Sequence, residues 1–274
     1  MDLDILISHA IEKPREFILA HPEHAISKKQ IAAISRLIAR RTKSEPIAYI
    51  LGRKEFFGLD FKVSENTLVP RPETEMLVDK TLQKLQEARN KKQKTIIIDV
   101  GTGSGNIIIS IAHNKKREEK IKFYGIDVSK KALEVAKKNA EIHNVNKKIK
   151  FLHGNLLNPI IENLKLKIKN STMIIAANLP YLDLEWKNLL TDTETKGLKY
   201  EPGIALYSGE DGLDSYRELA DQIQRIKSQT KSITVICEIG HLQKKEMKNI
   251  FSFAKKIEFK KDLSGKWRIC VVEI

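Results

Sequence analysis

Short apolar runs alternate with segments of helical periodicity along most of the chain after residue 94. The runs predict strands over residues 95–100, 121–126, 148–152, 172–177 and 232–238, and near 256–260 and 267–273. The intervening segments predict helices at about residues 105–114, 129–143, 211–228 and 241–254. This alternation is typical of an α/β fold in which helices cover both faces of a mostly parallel sheet. The last two strands are joined by too few residues for a parallel crossover, which predicts an antiparallel C-terminal hairpin.

The first 45 residues follow the pattern of short helices instead. Ser27 and Gln30 have the spacing of a capping box, which predicts the start of a helix. Two apolar stripes are expected to face inward: Leu3, Leu6, Ile7 and Ala10 on the first helix, then Ile31, Ile34 and Ile38. This helical part is equally consistent with partner docking and with plain packing.

Residues 54–63 change to two short strand candidates around Gly58-Leu59, which predicts a β-hairpin. The next block, Leu68 to Glu75, holds Arg71 extended between two prolines and leads into a helix. This block is consistent with the wall of a site and with an ordinary helix start. We therefore predict three parts: a small N-terminal helical domain over residues 1–48, a β-hairpin linker over 49–68 and a sheet domain over 69–274.

A glycine-rich loop follows the first strand of the predicted sheet. Gly101, Gly103 and Gly105 come directly after a buried β-branched run and before a helical pattern. Glycines permit a sharp turn and a close approach of a ligand, and a loop feeding a helix N-terminus offers backbone N–H groups. The spacing differs from the dinucleotide fingerprint because position 106 is Asn. The alternative is an ordinary strand–turn–helix unit with incidental glycines.

Two carboxylates accompany this loop. Asp127 ends the second strand about 20 residues beyond the glycines, where folds of this type place a ribose-binding acid. Asp99 lies beside the loop, and an acid at its mouth opposes a phosphate ligand. A nucleoside that carries a positive centre suits such a pocket better, and S-adenosylmethionine is the obvious candidate.

A second group of candidate residues follows the strand at 172–177. Asn178 offers a side-chain carbonyl, and Leu179 precedes Pro180, so its own carbonyl is held in an extended backbone. Two acceptors that converge on a planar –NH₂ group orient its nitrogen lone pair towards an electrophile. Tyr181 can stack on a planar amide or base. A strand end that merely turns at Asn-x-Pro is the alternative, but the position one strand beyond the glycine loop favours a functional role.

The charge of +14 suggests a nucleic-acid partner, but the composition weakens that suggestion. The chain has 38 Lys against 11 Arg, and most lysines fall on predicted helix surfaces and loops, where they serve solubility. Nucleic acid is therefore not required and not excluded. No apolar run is long enough for a membrane span, and Cys237 and Cys270 fit reduced core thiols of a cytosolic protein. The histidines and cysteines show no metal-ligand spacing, so we expect no metal.

The chain resembles the glutamine methyltransferases of peptide chain release factors, the HemK/PrmC family. Asn178-Leu-Pro-Tyr181 is similar to the Asn-Pro-Pro-Tyr motif of methyltransferases that modify amide or exocyclic amino nitrogens. The resemblance runs nearly end to end. It is carried by Glu45–Gly52, Glu55–Gly58, Leu68–Glu75, Asp99–Gly105, Tyr200–Leu206, Gly209–Gly212, Glu238–Gly240 and Lys261–Gly265.

This resemblance implies a Rossmann-like methyltransferase domain, S-adenosylmethionine as cofactor, S-adenosylhomocysteine as product and release factors as cytoplasmic substrates. It implies a role for each candidate position. Cofactor binding falls to Gly101, Thr102, Gly103, Ser104, Gly105, Asp127, Asn155, Leu156 and Asn178. Binding of the acceptor glutamine falls to Asn178, Leu179, Pro180 and Tyr181, with Asn178 and Tyr181 as catalytic residues. The chain departs from the family in a shorter helical start and in Asn155, where an acid often meets the adenine.

Two other functions compete with this interpretation. The first is an adenine methyltransferase acting on ribosomal RNA or DNA: ribosomal-RNA adenine dimethylases also carry an Asn-Leu-Pro-Tyr motif, and the basic charge suits them. The N-terminal helical domain, the Leu68–Glu75 block and the few arginines argue against that class. A non-catalytic scaffold that binds the cofactor is the third interpretation, and the intact Asn178–Tyr181 motif argues against it.

Overall fold

The computed structural model describes residues 2–90, 94–114, 121–163, 168, 170–183, 185 and 193–274. Several of the lysines expected on the surface, namely 91, 92, 115 and 116, lie outside these residues. Over the part of the chain that is described, every helix is too short or too polar to cross a lipid bilayer.

Four helices open the chain: α1 Asp2–Ile11, α2 Arg15–Ala20, α3 Lys28–Arg41 and α4 Ile47–Leu51. The capping box at the start of α3 is confirmed, because the Ser27 hydroxyl accepts the Gln30 N–H while the Gln30 carbonyl accepts the Ser27 N–H. Leu6 and Ile34 are buried as predicted. Leu3 and Ile31 are exposed, contrary to the prediction, because these short helices pack mainly on one another and cannot cover the ends of each stripe.

A β-hairpin follows, formed by β1 Arg53–Phe56 and β2 Leu59–Lys62. Its turn is Phe57-Gly58, one residue earlier than predicted, and both residues have positive φ, 53° and 72°. Such a turn matches the twist of the paired strands. The unfavourable φ of Phe57 is accompanied by a hydrogen bond from its N–H to the Glu75 carboxylate at 2.9 Å. The hairpin is therefore held against the start of the next helix.

In the described residues, seven strands form the main sheet. They are β3 Thr95–Val100, β4 Ile121–Asp127, β5 Ile149–His153, β6 Thr172–Ala177, β7 Ser232–Glu238, β8 Lys256–Lys261 and β9 Trp267–Glu273. Their order is β5-β4-β3-β6-β7-β9-β8, with β3 to β7 parallel. The predicted α/β class and the antiparallel hairpin β8–β9 are confirmed. β9 also inserts between β7 and β8 and pairs antiparallel with β7.

Helices cover both faces of this sheet. They are α5 Glu75–Asn90, α6 Asn106–His113, α7 Lys130–Ile142, α8 Asn158–Asn163, α9 Thr193–Gly197, α10 Asp214–Ile226 and α11 Lys244–Ile250, with short 3₁₀ turns at Pro72–Thr74, Leu198–Tyr200, Gly203–Ala205 and Lys227–Gln229. The two faces of β3 show how the layers pack. Ile96 and Ile98 contact the core under α10, whereas Ile97 contacts the core under α5 and the hairpin. A strand buried on both faces explains the continuous apolar run in the sequence. The predicted boundaries at residues 48 and 68 stay predictions.

One buried side chain connects the hairpin to the sheet domain. The Asn139 carbonyl accepts the Lys62 N–H at 2.8 Å, and its amide donates to the carbonyls of Lys62 at 3.0 Å and Ser104 at 2.8 Å. Asn139 is fully buried on α7. It therefore fixes the position of β2, of α7 and of the glycine loop relative to one another.

We expect Asn139→Leu to lower the free energy of unfolding, because it leaves the buried Ser104 carbonyl and two part-buried backbone groups of Lys62 without their Asn139 partner. A buried group without a partner costs about 1–3 kcal/mol and the solvent-accessible groups of Lys62 cost less, so the expected loss is about 2–4 kcal/mol. Urea unfolding would measure it. The control is Lys138→Ala, at an exposed position of the same helix. Equal stability of the two variants would show that these three hydrogen bonds do not hold β2, α7 and the glycine loop together.

Candidate active site

A cavity of about 480 Å³ opens at the carboxyl edge of the parallel strands. This volume is in the range of small-molecule sites. The floor is made by the glycine loop and by the ends of β4, β5 and β6, and two segments beyond the sheet, 65–68 and 202–205, provide further walls. The predicted cofactor residues that line this cavity are Gly101, Thr102, Gly103, Ser104, Asp127, Asn155, Leu156 and Asn178.

Gly105 is not among the lining residues. It starts α6 with a φ of 80°, and a Cβ there would be 2.7 Å from the Ile109 side chain and 3.2 Å from that of Ala136. Gly101, with a φ of 70°, would place a Cβ 3.1 Å from the Leu179 side chain. Glycine is therefore required at both ends of the loop, at one end to pack two helices and at the other to bring the loop against Leu179.

Three N–H groups of the loop donate to partners that the sequence analysis did not predict. The Thr102 N–H donates to the Ile126 carbonyl at 2.9 Å, and the Gly105 N–H donates to the Thr102 carbonyl at 2.7 Å. The Gly103 N–H donates to the Asp127 carboxylate at 2.8 Å. These three N–H groups therefore donate to acceptors within the protein. The prediction that they form a pocket for a ligand is wrong. A loop of this kind is poorly suited to an anionic ligand.

Asp127 lies at the end of β4 and on the cavity wall. One oxygen accepts the Gly103 N–H and the other accepts the Ser129 N–H, both at 2.8 Å. Burial raises the pKa of this carboxyl, while the two N–H donors oppose that shift. Each oxygen keeps a lone pair for a further donor, so Asp127 can accept two hydroxyl groups from a ligand.

Asp99 lies behind the loop rather than at its mouth. It is fully buried, it is not among the lining residues, and its Oδ2 accepts the Thr102 hydroxyl at 2.6 Å. Its Oδ1 has no hydrogen-bond partner among the described residues. Burial raises the pKa of Asp99 to about 7, against the effect of the Thr102 hydroxyl. The expectation that Asp99 faces the ligand is therefore wrong, because the strand turns this side chain into the protein.

The far end of the cavity carries apolar side chains. Leu156 lines it from the loop after β5. Val128 and Ile204 also line it, although 48% and 62% of their surfaces are exposed. Asn155 is exposed, and its amide N–H donates to the Glu218 carboxylate at 2.6 Å, which leaves its carbonyl oxygen available. This end of the cavity can bind a flat apolar ring with a polar edge.

A second cavity of about 140 Å³ adjoins the first. Four residues line both: Leu68, Asn178, Leu179 and Ala205. Pro180 lines only the larger cavity, and Tyr181 only the smaller one. The Asn178 amide donates to the Thr74 hydroxyl at 3.2 Å, and burial raises the pKa of Tyr181, whose hydroxyl donates to Glu238 at 3.4 Å. Asn178 is thus in the wall between the two chambers.

The smaller cavity includes Arg71, from the block that is consistent with the wall of a site, and Glu238, which was not predicted as a site residue. Arg71 forms an ion pair with the buried Glu201, which also accepts the Val69 N–H at 3.0 Å. The place of Glu238 at the end of a parallel strand is a signal that could have found it, because ligands of such sheets bind at that edge. Thr74, which lines the larger cavity, gives no comparable signal in the sequence.

Comparisons with known proteins identify the family. A PrmC N-terminal domain model matches residues 1–52, and a methyltransferase domain model matches residues 91–255. A release factor glutamine methyltransferase of Bacillus anthracis is 32% identical over 275 residues, which cover 99% of this chain and 91% of the relative. The chain belongs to the release factor glutamine methyltransferase family.

Two further similarities fit this assignment. A bifunctional methyltransferase of Rickettsia bellii is 34% identical over 273 residues, and the chain spans 46% of its length. The structure of the N-terminal domain of human METTL16 in complex with SAH has a TM-score of 0.53 at 15% identity, covering 97% of this chain and 93% of that one. The second similarity shows the fold alone. The cofactor of a methyltransferase of this family is S-adenosylmethionine, which supplies an activated methyl group when bound.

The residues of the larger cavity fit this cofactor. Asp127 offers lone pairs for ribose hydroxyls, and Val128 and Ile204 offer apolar surface for a purine. The loop directs three N–H groups away from the ligand, which suits a cationic group better than a phosphate. The predicted assignments of the methionine part to the loop, and of the adenine to Asn155 and Leu156, stay predictions.

We expect Asp127→Asn to weaken S-adenosylmethionine binding, because the amide has one acceptor oxygen and cannot serve both backbone N–H groups and the ribose. Hydrogen bonds to a charged group are worth about 1.5–3 kcal/mol, so the expected rise in Kd is about 10- to 100-fold. Isothermal titration calorimetry would measure it. Asp79→Asn, at an exposed position of α5, is the control. An unchanged Kd would remove Asp127 from the cofactor site.

We also expect Asp99 to make stability depend on pH. Its pKa is raised from 3.8 to about 7, so the folded state keeps a proton that the unfolded chain loses. The resulting stabilisation is fully present below about pH 4 and is lost as the pH rises through about 7. In Asp99→Asn, the free energy of unfolding should therefore fall less between about pH 5 and about pH 8 than in the wild type. Urea unfolding at both pH values tests this, with Asp79→Asn as control, and equal slopes would contradict it.

Proposed function

We propose that this chain transfers the methyl group of S-adenosylmethionine to the side-chain amide nitrogen of a glutamine in peptide chain release factors. The target is the glutamine of a Gly-Gly-Gln segment, as the family resemblance implies. Full-length similarity to release factor glutamine methyltransferases supports the reaction. The position of Asn178 in the wall between two cavities is the observation that carries the proposal at the level of the site.

The smaller cavity suits a glutamine side chain. Its walls include the aliphatic side chains of Leu68, Leu182 and Leu206, which can contact the methylene groups of the stem. Its boundary with the larger cavity includes Asn178 and Leu179, whose carbonyls would accept the two amide N–H groups. A glutamine inserted there presents its nitrogen towards the larger cavity. The stem would be bound by apolar contact and the amide by hydrogen bonds.

Asn178 and Leu179 would also prepare the nitrogen for reaction. An amide nitrogen is a poor nucleophile because its lone pair is delocalised into the carbonyl. Two acceptors that bind the N–H groups favour the pyramidal nitrogen of the transition state more than the planar ground state, which is the requirement for catalysis. Holding the nitrogen within about 3–3.5 Å of the reacting carbon supplies the rest of the effect. Tyr181 would pack against the amide plane from the smaller cavity.

Location and partners follow from this substrate. Release factors act on ribosomes, so we place the enzyme in the cytoplasm with a protein substrate and no required nucleic acid. The buried free thiols of Cys237 and Cys270 are consistent with that location. The rival adenine methyltransferase function is not favoured, because the N-terminal family match and the full-length relatives belong to the glutamine-modifying family.

We expect Asn178→Ala to bind S-adenosylmethionine nearly as well as the wild type but to transfer methyl about 10²- to 10³-fold more slowly, the cost of removing one catalytic hydrogen bond. Mass spectrometry of purified release factor incubated with enzyme and cofactor would measure the added methyl and its position. Asn249→Ala, an exposed residue of α11, is the matched control.

Three outcomes of this experiment would contradict the proposal. Unchanged turnover in Asn178→Ala would remove the role of Asn178. Methylation found only in ribosomal RNA, supplied in a parallel reaction, would establish the adenine methyltransferase function instead. Tight cofactor binding without transfer to either acceptor would indicate a non-catalytic scaffold.

A further inference from the structure

A chain of buried polar groups lies behind Asn178. The Asn178 amide nitrogen is 3.2 Å from the Thr74 hydroxyl, and that hydroxyl is 2.6 Å from Oε2 of Glu238. Thr74 and Glu238 are each only 1% exposed, so bulk water cannot replace either partner. These hydrogen bonds join the 3₁₀ turn before α5, the end of β6 and the end of β7.

The direction of each hydrogen bond in this chain is fixed by the number of protons. A hydroxyl has one proton, and a carboxylate can only accept. Thr74 therefore donates to Glu238 and must accept from its other neighbour. An amide that donates to Thr74 places its nitrogen on that side and its carbonyl oxygen on the opposite side. Glu238 thus determines, two groups away, which end of the Asn178 amide faces the cavities.

We infer that Thr74 and Glu238 are positioning residues, which orient the Asn178 carbonyl towards the acceptor nitrogen. This inference rests on the proposed function, in which that carbonyl accepts an N–H of the substrate amide. If the amide of Asn178 were turned by 180°, its own –NH₂ group would face the –NH₂ group of the substrate. Two donors cannot form a hydrogen bond, so the turned form would be inactive.

The rest of the structure holds both positioning residues in place. The Thr74 N–H donates to the Arg71 carbonyl at 3.1 Å, which closes the 3₁₀ turn. The main-chain carbonyl of Glu238 accepts the hydroxyl of the buried Tyr216. Oε1 of Glu238 lies 3.4 Å from the Tyr181 hydroxyl. Both oxygens of the carboxylate therefore have donors, as a buried acid requires.

Opposing influences act on the charge of the Glu238 carboxyl. Burial and the neighbouring Glu73 raise the pKa of Glu238, while the Thr74 hydroxyl, Arg268 and Tyr181 oppose the shift. The two hydroxyls and Arg268 favour the carboxylate form against the larger effect of burial, so the direction of the hydrogen bonds rests on the geometry, with the Asn178 amide nitrogen on Thr74. In a buried, low-dielectric chain, the hydrogen bonds polarise one another and keep a single direction.

The first test compares Thr74→Val with Thr74→Ser. Valine keeps the shape of threonine without its hydroxyl, and we expect about a 10- to 100-fold lower kcat, the scale of a misplaced catalytic group. KM for the release factor and Kd for the cofactor should change by less than about 3-fold, because valine keeps the shape of Thr74 in the wall of the larger cavity and the acceptor stem keeps its contacts. Serine restores the hydroxyl and should restore most of the kcat. Thr81→Val is the matched control, since Thr81 is a second buried threonine, on α5, whose hydroxyl donates to the Leu77 carbonyl at 2.8 Å.

A double-mutant cycle separates positioning from general stabilisation. If Thr74 acts only through Asn178, Thr74→Val should lower kcat in the wild type and should not lower it further in Asn178→Ala. Losses that add in the double variant would overturn the inference. So would a kcat of Thr74→Val that equals the kcat of Thr81→Val.

A third measurement needs no methyl-accepting substrate. In protein labelled with ¹⁵N-asparagine, the Asn178 side-chain signal is the one missing from Asn178→Ala. We expect this signal to shift in Thr74→Val, to return close to its original position in Thr74→Ser and to stay in place in Thr81→Val. An unmoved signal in Thr74→Val would overturn the inference. If the wild type failed to methylate the release factor, the proposed function would fall, and these signals would still decide whether Thr74 orients Asn178.

Discussion

The register of the parallel sheet is the constraint on which the site depends. Val100 of β3 pairs with Ile126 of β4 and with Ala177 of β6, and Ala177 pairs in turn with Cys237 of β7. This row of four residues is fully buried. The residue that follows each member belongs to the candidate site: Gly101, Asp127, Asn178 and Glu238. Backbone hydrogen bonds between strands thus assemble groups that are up to 137 positions apart in the chain.

A change of register would disperse these groups. Side chains alternate between the two faces of a strand, so a slip of one residue turns a buried set outward. Ile174 and Ile175 of β6 contact different cores on the two faces, and either slip would exchange them. The apolar content of the strands therefore secures more than stability. It also secures the alignment of polar residues that contribute nothing to the core.

The sequence was sufficient for the features that depend on local periodicity or on a motif. The strands from β3 to β9, the capping box at Ser27 and the loop of glycines follow from residues close together in the chain. The features that were missed depend on distant partners. Asn139 bonds to Lys62 across 77 positions, and Thr74 bonds to Glu238 across 164. Neither pair leaves a periodic signal, because one hydrogen bond requires only two suitable residues.

The prediction for the glycine loop was wrong for a different reason. Its conformation was predicted, but the partners of its N–H groups were not, since Asp127 and Ile126 reach the loop only through the pairing of β3 with β4. The exposed Leu3 and Ile31 have a related cause. Periodicity predicts which side chains share a helix face, but it does not say how far the neighbouring element extends over that face.

The thin partition between the two cavities has a consequence for the order of events. It includes Asn178, Leu179, Leu68 and Ala205, and none of these side chains can carry a methyl group as a covalent adduct. In the proposed reaction, these four residues therefore offer no group that could hold the methyl between donor and acceptor. The proposed reaction, with direct transfer across this partition, then needs donor and acceptor in the two cavities at the same time, so we expect sequential rather than ping-pong kinetics.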